Sequence, residues 1–544
     1  MPVISLGYED LEELVGIPKE EILTKIPMLG ADIERVEEDH VDVEFFPNRP
    51  DLYSVEGVAR ALRGFLSIEE GARYYSVKES KINLTVKDAV LPIRPHIASA
   101  VVKGIKFSGA LIESLMNLQE HLHRGLGRDR RKISIGVHDL SKIESPFTYT
   151  AVSPDFSFVP LDLDEEMTMR KILTRHPKGV KYRKILEHFD LYPIIFEGRG
   201  EVVSFPPIIN AELTRVTEKT EDIFIDVTGT EPIVFKALNI VVSSLAERGG
   251  EIYSVRIDRG SKEARIVSPD LSYEEIDIEL SEFRSLIGED LTPFDIIESL
   301  RKMRYDADRG KEDKVLVKIP PYRVDILHPW DIIEDVAIGY GYENIRPEFP
   351  KTLTMGSPHE MEVFSSKIRE VMIGLCFFEV ITFTLTNEEK EFDWMRRING
   401  NKEEIVTVNN PISKEHTMMR RTILPNLIEL LSFNKHRDLP QRIFEIGDVI
   451  LNGKTTESLA AVSIHSDAEF SEVRSYIDAL FREMKMEAKI KNSTDPAFLE
   501  GRSGDIYVNK RKIGVFGELH PDVVWNFELE YPIVAMEINL ASLE

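Results

Sequence analysis

A single cysteine in 544 residues, Cys376 within MIGLCFFEV, excludes a disulfide framework and a cysteine-ligated zinc site. Its apolar neighbours predict a buried small side chain in a cytoplasmic protein. Apolar runs of membrane-spanning length are missing, and the opening MPVISLGYEDLEE lacks a signal-peptide pattern, so no membrane partner is expected. Glutamine is scarce, with only Gln119 and Gln441, while 30% of residues are charged; that balance leans towards a heat-adapted chain. A phosphate-binding loop, a nucleophile elbow and a His-x-x-x-His pair are also missing. His520, in Gly517-Glu518-Leu519-His520-Pro521, reads as a turn or core histidine. The net charge of −26 argues against a chain coated in nucleic acid, because phosphate binding needs clustered cations.

Cations do cluster at three places: His121, His123 and Arg124 with Arg128, Arg130, Arg131 and Lys132; Arg175, His176 and Lys178 with Lys181, Arg183 and Lys184; and Arg420 and Arg421 with Lys435, His436 and Arg437. The first two read as solvated loops; the third flanks an amphipathic helix over 423–433.

The most organised stretch is 315–342. Val315, Val317 and Ile319 alternate with polar residues as in a strand, and Pro320 and Pro321 end it. Pro329 suits the first turn of a helix, and Ile332, Ile333, Val336, Ala337 and Tyr340 recur at helical spacing. Asp331, Glu334 and Asp335 fall on one polar face, with Asp325 just outside. Four such acids make either a hard-cation site or a complement to the helix dipole.

An internal repeat bears on that choice. Residues 8–62 and 280–337 share a pattern at an offset of 272 to 274, including Leu14-Val15-Gly16 with Leu286-Ile287-Gly288 and Pro47-x-Arg49-x-Asp51 with Pro321-x-Arg323-x-Asp325. One further residue of offset aligns Glu56, Ala59 and Arg60 with Asp331, Glu334 and Asp335. Acids found in only one copy are not demanded by the shared fold, which favours a site.

The expected architecture is multidomain α+β. Residues 1–77 form a helix-turn-helix-like module with a connector, and 78–264 a mixed α/β domain. Residues 265–347 form the second copy of the module. Residues 348–544 form an antiparallel sheet with two long helices on one side.

Four motifs occur in order: Phe46-Pro47-Asn48-Arg49-Pro50-Asp51-Leu52; Pro321-x-Arg323-x-Asp325 with Glu334-Asp335-Val336-Ala337-x-Gly339-Tyr340-Gly341-Tyr342; Phe444-Glu445-Ile446-Gly447-Asp448; and Gly514-x-x-Gly517-Glu518-x-His520-Pro521. Together they resemble the β subunit of phenylalanyl-tRNA synthetase. IGVHDLSKIESPFTYTAVSP is similar to the archaeal and eukaryotic branch. The resemblance implies an α2β2 heterotetramer that esterifies phenylalanine to its tRNA, with ATP, phenylalanine and the catalytic site on the α subunit. It implies that 348–544 is a degenerate class II synthetase core, and no Gly-rich arginine motif follows Arg442 to serve phosphate activation. It implies that 78–264 hydrolyses mischarged tyrosyl-tRNA, with Asn210, Asp226, Thr228 and Ser204 at the site. It also implies magnesium on Asp325, Asp331, Glu334 and Asp335, shared between subunits. The residues alone leave Asp226-Val227-Thr228-Gly229 open as a strand end and turn. Two rival readings are a repeat-built binding scaffold and a metal-dependent phosphoesterase using the 325–335 carboxylates.

Overall fold

The computed structural model describes residues 2–259, 265–311, 313–349, 354–397 and 405–543. The chain forms two compact units, residues 1–349 and 350–544. Among the described residues, no helix is long and apolar enough to cross a membrane.

The two repeat copies fold alike. The first runs Val3–Gly7 (strand), Tyr8–Val15 and Lys19–Lys25 (helices), Ala31–Val36 and His40–Phe45 (strands) and Val55–Phe65 (helix). The second runs Glu274–Glu279, Leu280–Ile287, Pro293–Lys302, Asp306–Arg309, Lys314–Ile319 and Pro329–Tyr340 in the same order. In each, the last strand lies between the other two, antiparallel to both. The expected helix-turn-helix module is therefore corrected to a sheet-bearing one. The middle strand of each copy buries every second residue over six positions and so signals itself; Val3–Gly7 does so too, but buries only Ile4 and Leu6. Ala31–Val36 buries none and Asp306–Arg309 one, so neither strand could be read from alternation. Gly16 and Gly288 recur because each ends the first helix in left-handed backbone, at φ 89° and 84°.

Between the copies stands an eleven-stranded mixed sheet. Ile223–Gly229 and Ile133–Asp139 pair antiparallel and are buried along their whole length. Their odd-numbered residues pack into a core with the helices Gly109–Arg124 and Val234–Ala246. The even-numbered ones, Ser134, Gly136 and His138 opposite Thr228, Asp226 and Phe224, share the other face.

In residues 350–544, seven strands form one sheet, antiparallel except where Phe378–Glu379 joins Gln441–Leu451. Alternate residues of Lys454–Ile464 pack into different cores: Ala460, Val462 and Ile464 with the helix Leu424–Phe433, Leu459 and Ala461 with the helices Glu360–Gly374 and Phe470–Glu483. Helices thus cover both faces, not one, and a third long helix, Phe470–Glu483, joins the two expected. Residues 380–386, VITFTLT, which follow the short strand Phe378–Glu379, form strand only at Leu385–Thr386. Cys376, expected in the core, is exposed and follows the helix Glu360–Gly374 in left-handed backbone.

Candidate functional site

A cavity of about 230 Å³ opens beside the strand Ile133–Asp139. Ile112, Leu115, Met116, Val137, Phe205 and Ile208 give it apolar walls; Ser204, Asn210 and Asp226 are among its polar groups. Three of the four candidate residues therefore meet.

They meet by an unexpected route. Asn210 does not lie on a strand beside Asp226. Its short strand pairs with Val202–Phe205, with Ser204 directly opposite Asn210, at the far end of the sheet from Ile223–Gly229. The sheet brings its ends together, and the Asn210 amide donates to the Val137 carbonyl at 3.3 Å. Thr228 does not line the cavity. It is wholly buried, 2.9 Å from the Ser134 hydroxyl, and accepts from Arg94 Nε at 3.1 Å while its carbonyl accepts from Arg94 Nη2 at 2.8 Å. Burial pushes the Arg94 guanidinium down to about 10.

Asp226 is held from behind. His138 Nε2 lies 2.7 Å from Asp226 Oδ2, and His138 Nδ1 lies 2.8 Å from the Thr214 hydroxyl. The His138 ring, Asp226 and Thr214 are all almost fully buried, and among the described residues Asp226 Oδ1 has no hydrogen-bond partner. Gly136, opposite Asp226 on the next strand, makes the arrangement possible. A Cβ there would sit 2.2 Å from Asp226 Oδ2 and 2.6 Å from His138 Nε2.

The first two basic segments, read as solvated loops, reach the same cavity. His123, Arg130 and Lys178 all line it. Arg128, Asp129 and Arg130 adopt left-handed backbone in succession, at φ 45°, 55° and 65°, which for side-chain-bearing residues costs roughly 1–2 kcal/mol each. The turn directs Arg130 inward, where Nη1 donates to the carbonyls of Pro207 at 3.3 Å and Ile208 at 3.0 Å, and Nη2 to Glu120. The guanidinium sits over the Tyr182 ring, 4.7 Å from its centroid. His123 and Arg130 hold Glu120 well below the usual carboxylate range. Burial pushes His123 down to about 4, so it is neutral at pH 7, and its Nε2 accepts from the Ile135 N–H at 2.8 Å. In the sequence, Gly136, His138 and Thr214 carried no signal beyond the even-numbered register that His138 and Gly136 share with Ser134.

The acidic cluster is organised around an arginine. In the second copy, Arg323 grips Asp325 two residues on, Nε to Oδ1 at 2.9 Å and Nη2 to Oδ2 at 2.6 Å. The first copy repeats the fork: Arg49 to Asp51 at 2.9 Å twice. At the aligned helix position the sign inverts. Asp335 accepts from Arg323 Nη2 at 2.6 Å and from the Tyr305 hydroxyl, whereas Arg60 approaches Asp51, Nη2 to Oδ2 at 3.8 Å. Asp331 faces elsewhere, capping its own helix by accepting from the N–H groups of Leu327 and His328, both at 2.7 Å. Glu334 is exposed.

Family models match twice: the phenylalanyl tRNA synthetase beta chain CLM domain over residues 345–540, and the tRNA synthetase B5 domain over 276–342. A phenylalanine–tRNA ligase beta subunit of Methanosarcina acetivorans is 52% identical, over all of this chain and 99% of its own. One from Archaeoglobus fulgidus is 53% identical, over all of this chain and 98% of its own. The chain belongs to the phenylalanine–tRNA ligase beta subunit family. An N-terminal fragment of the phenylalanyl-tRNA synthetase beta subunit from Pyrococcus horikoshii, solved by crystallography, matches at 38% identity with a TM-score of 0.60. The match covers 62% of this chain and 99% of the fragment.

Magnesium, implied for this family by resemblance, does not fit the four carboxylates as they stand. Two already neutralise a guanidinium, one caps a helix, and among the described residues no three His, Cys, Asp or Glu side chains gather as cation ligands. Of the acids absent from the first copy, Asp335 is accounted for by the inverted pairing. In the family's CLM region, Arg442 lies 3.4 Å from Glu472 and Arg420 is buried 2.7 Å from Glu445. Each guanidinium thus faces a carboxylate of the fold, with Arg442 Nε left without a partner among the described residues.

Proposed function

We propose that this chain is the non-catalytic partner in a phenylalanine–tRNA ligase of two alpha and two beta subunits. The alpha subunit binds ATP, its magnesium and phenylalanine, and charges the phenylalanine tRNA. Residues 350–544 serve as a class II synthetase-like core without phosphate chemistry, a reading supported by the engagement of Arg442 and Arg420 with Glu472 and Glu445.

The cavity beside Asp226 is the editing site, which hydrolyses tyrosine wrongly esterified to the tRNA. An apolar pocket built for phenylalanine rejects an added hydroxyl only about a hundredfold, so a second site that recognises the hydroxyl is needed. One observation carries this reading. Among apolar walls, Asp226 is clamped through Oδ2 by His138 while Oδ1 keeps an unused acceptor. A phenol entering the cavity donates to that oxygen. A phenylalanine ring would leave the carboxylate unpaired, which costs about 1–3 kcal/mol or more for a charged group. Ser204 and Asn210 supply further polar contacts, and Thr228 acts at one remove through Ser134 and Arg94.

The test is deacylation of tyrosyl-tRNA and phenylalanyl-tRNA by the assembled enzyme and its Asp226→Ala variant. We expect the variant to lose tyrosyl-tRNA hydrolysis by tenfold or more while charging phenylalanine at the normal rate. Equal hydrolysis by the two would move the site elsewhere; none by wild type would remove the activity.

A further inference from the structure

Lys178 stands apart from the other charged groups that line the cavity. Arg130 is paired with Glu120, Arg215 with Glu212 and Asp162, and Asp226 with His138. Lys178 is partly buried within the second basic segment; its backbone N–H donates to His176 Nδ1 at 3.2 Å, but its ammonium has no hydrogen-bond or ion-pair partner among the described residues. Burial, and then the nearby Arg130, draw its pKa below the ordinary lysine value, against the smaller opposing pull of Glu120 and Asp162. Keeping an ammonium partly desolvated and unpaired is unfavourable unless an anion joins it.

Its setting is built rather than incidental. The first basic segment reaches it through the left-handed turn that places Arg130 over Tyr182, and Lys181 approaches the same ring at 5.0 Å. Two segments about fifty positions apart thus meet on one buried tyrosine, and each sends a cation, Arg130 and Lys178, to the cavity wall.

We infer that Lys178 is an anion site at the cavity rim that takes a phosphodiester of the nucleic acid whose terminal ester enters the cavity. This rests on the editing reading and adds the group that would hold the polynucleotide. An aminoacyl ester reaches the cavity on a chain of phosphates, so a cation at the rim orients the ester carbonyl without touching it. The ammonium suits this task as a point charge that rotates to meet a phosphate oxygen.

The test uses the assembled enzyme and a labelled oligonucleotide ending in a non-hydrolysable tyrosyl amide, with adenosine tyrosyl amide as the phosphate-free control. We expect Lys178→Met to weaken oligonucleotide binding about tenfold more than adenosine-amide binding, in line with one lost charged hydrogen bond. The slope of log affinity against log salt should fall by about one, as for one phosphate contact. Lys178→Arg should restore both, which a merely structural role would not produce. Equal losses for both ligands, or an unchanged salt slope, overturn the proposal. So does inorganic phosphate displacing the oligonucleotide at micromolar concentration, since the site would then belong to the free ion. If wild type binds the oligonucleotide through Lys178 yet fails to hydrolyse tyrosyl-tRNA, the editing reading falls and the anion site stands.

Discussion

The guanidinium of Arg60 sits over the ring of Tyr322, 3.7 Å from its carbon to the ring centroid, and both residues are almost fully buried. Arg60 belongs to the first repeat copy and Tyr322 to the second. With the forks Arg49–Asp51 and Arg323–Asp325, and with Asp335, they set three positive and three negative side chains into the join between the copies.

Removing one member leaves an uncompensated buried charge. Asp335→Ala leaves the buried Arg323 with Asp325 alone and strands the Tyr305 hydroxyl, and is expected to destabilise the 1–349 unit by about 3–5 kcal/mol. Denaturant unfolding should give the same loss in millimolar magnesium and in chelator. If magnesium restores the variant, or chelator alone lowers wild type equally, the acids act as metal ligands after all.

Gly136→Ala places a methyl group where the His138–Asp226 hydrogen bond runs. The expected outcome is a loss of stability of about 1–3 kcal/mol from overpacking. Tyrosyl-tRNA hydrolysis should fall by at least tenfold, with phenylalanine charging intact. Unimpaired hydrolysis in a folded variant would mean that the held carboxylate is not what recognises the phenol.

A pH dependence is expected from Glu391. Burial, with Glu537 adding to it, pushes this carboxyl from 4.5 up to about 8. Between those values the folded chain holds a proton that the unfolded chain has lost, so stability falls as pH rises. The contribution is complete below about 4.5 and gone above about 8. Melting temperature followed from pH 5 to 9 should decline more steeply in wild type than in Glu391→Gln, whose amide cannot ionise. Parallel curves would show that the group titrates normally.

Much of this was legible in the sequence because it is local. The fork recurs in both copies as Pro-x-Arg-x-Asp, and Asp226 and Thr228 share a face by simple alternation. What was hidden depends on distant segments meeting. Asn210 and Asp226 lie sixteen positions apart in the chain but at opposite regions of the sheet, joined only by its curvature. Thr228 looked equivalent to Asp226, yet the Arg94 guanidinium claims it. Arg130 and Lys178 read as loop cations because neither the left-handed turn nor its contact with Tyr182 leaves a periodic trace. The acids of 325–335 are regular in their spacing, but the spacing does not show that Asp325 and Asp335 answer Arg323, two residues before the first of them.

The sign inversion at Arg60 and Asp335 gives the duplicated modules a polarity. Arg60 crosses the join onto Tyr322, whose aligned residue in the first copy is Asn48, so in two first copies Arg60 would meet no ring, and in two second copies Tyr322 would meet Asp335 in place of a guanidinium. Each half is therefore selective for its sibling and disfavours its own likeness. A duplication that began with identical halves has become an ordered pair, and expressing either half in bulk should yield a species that resists self-association until the complementary half is supplied.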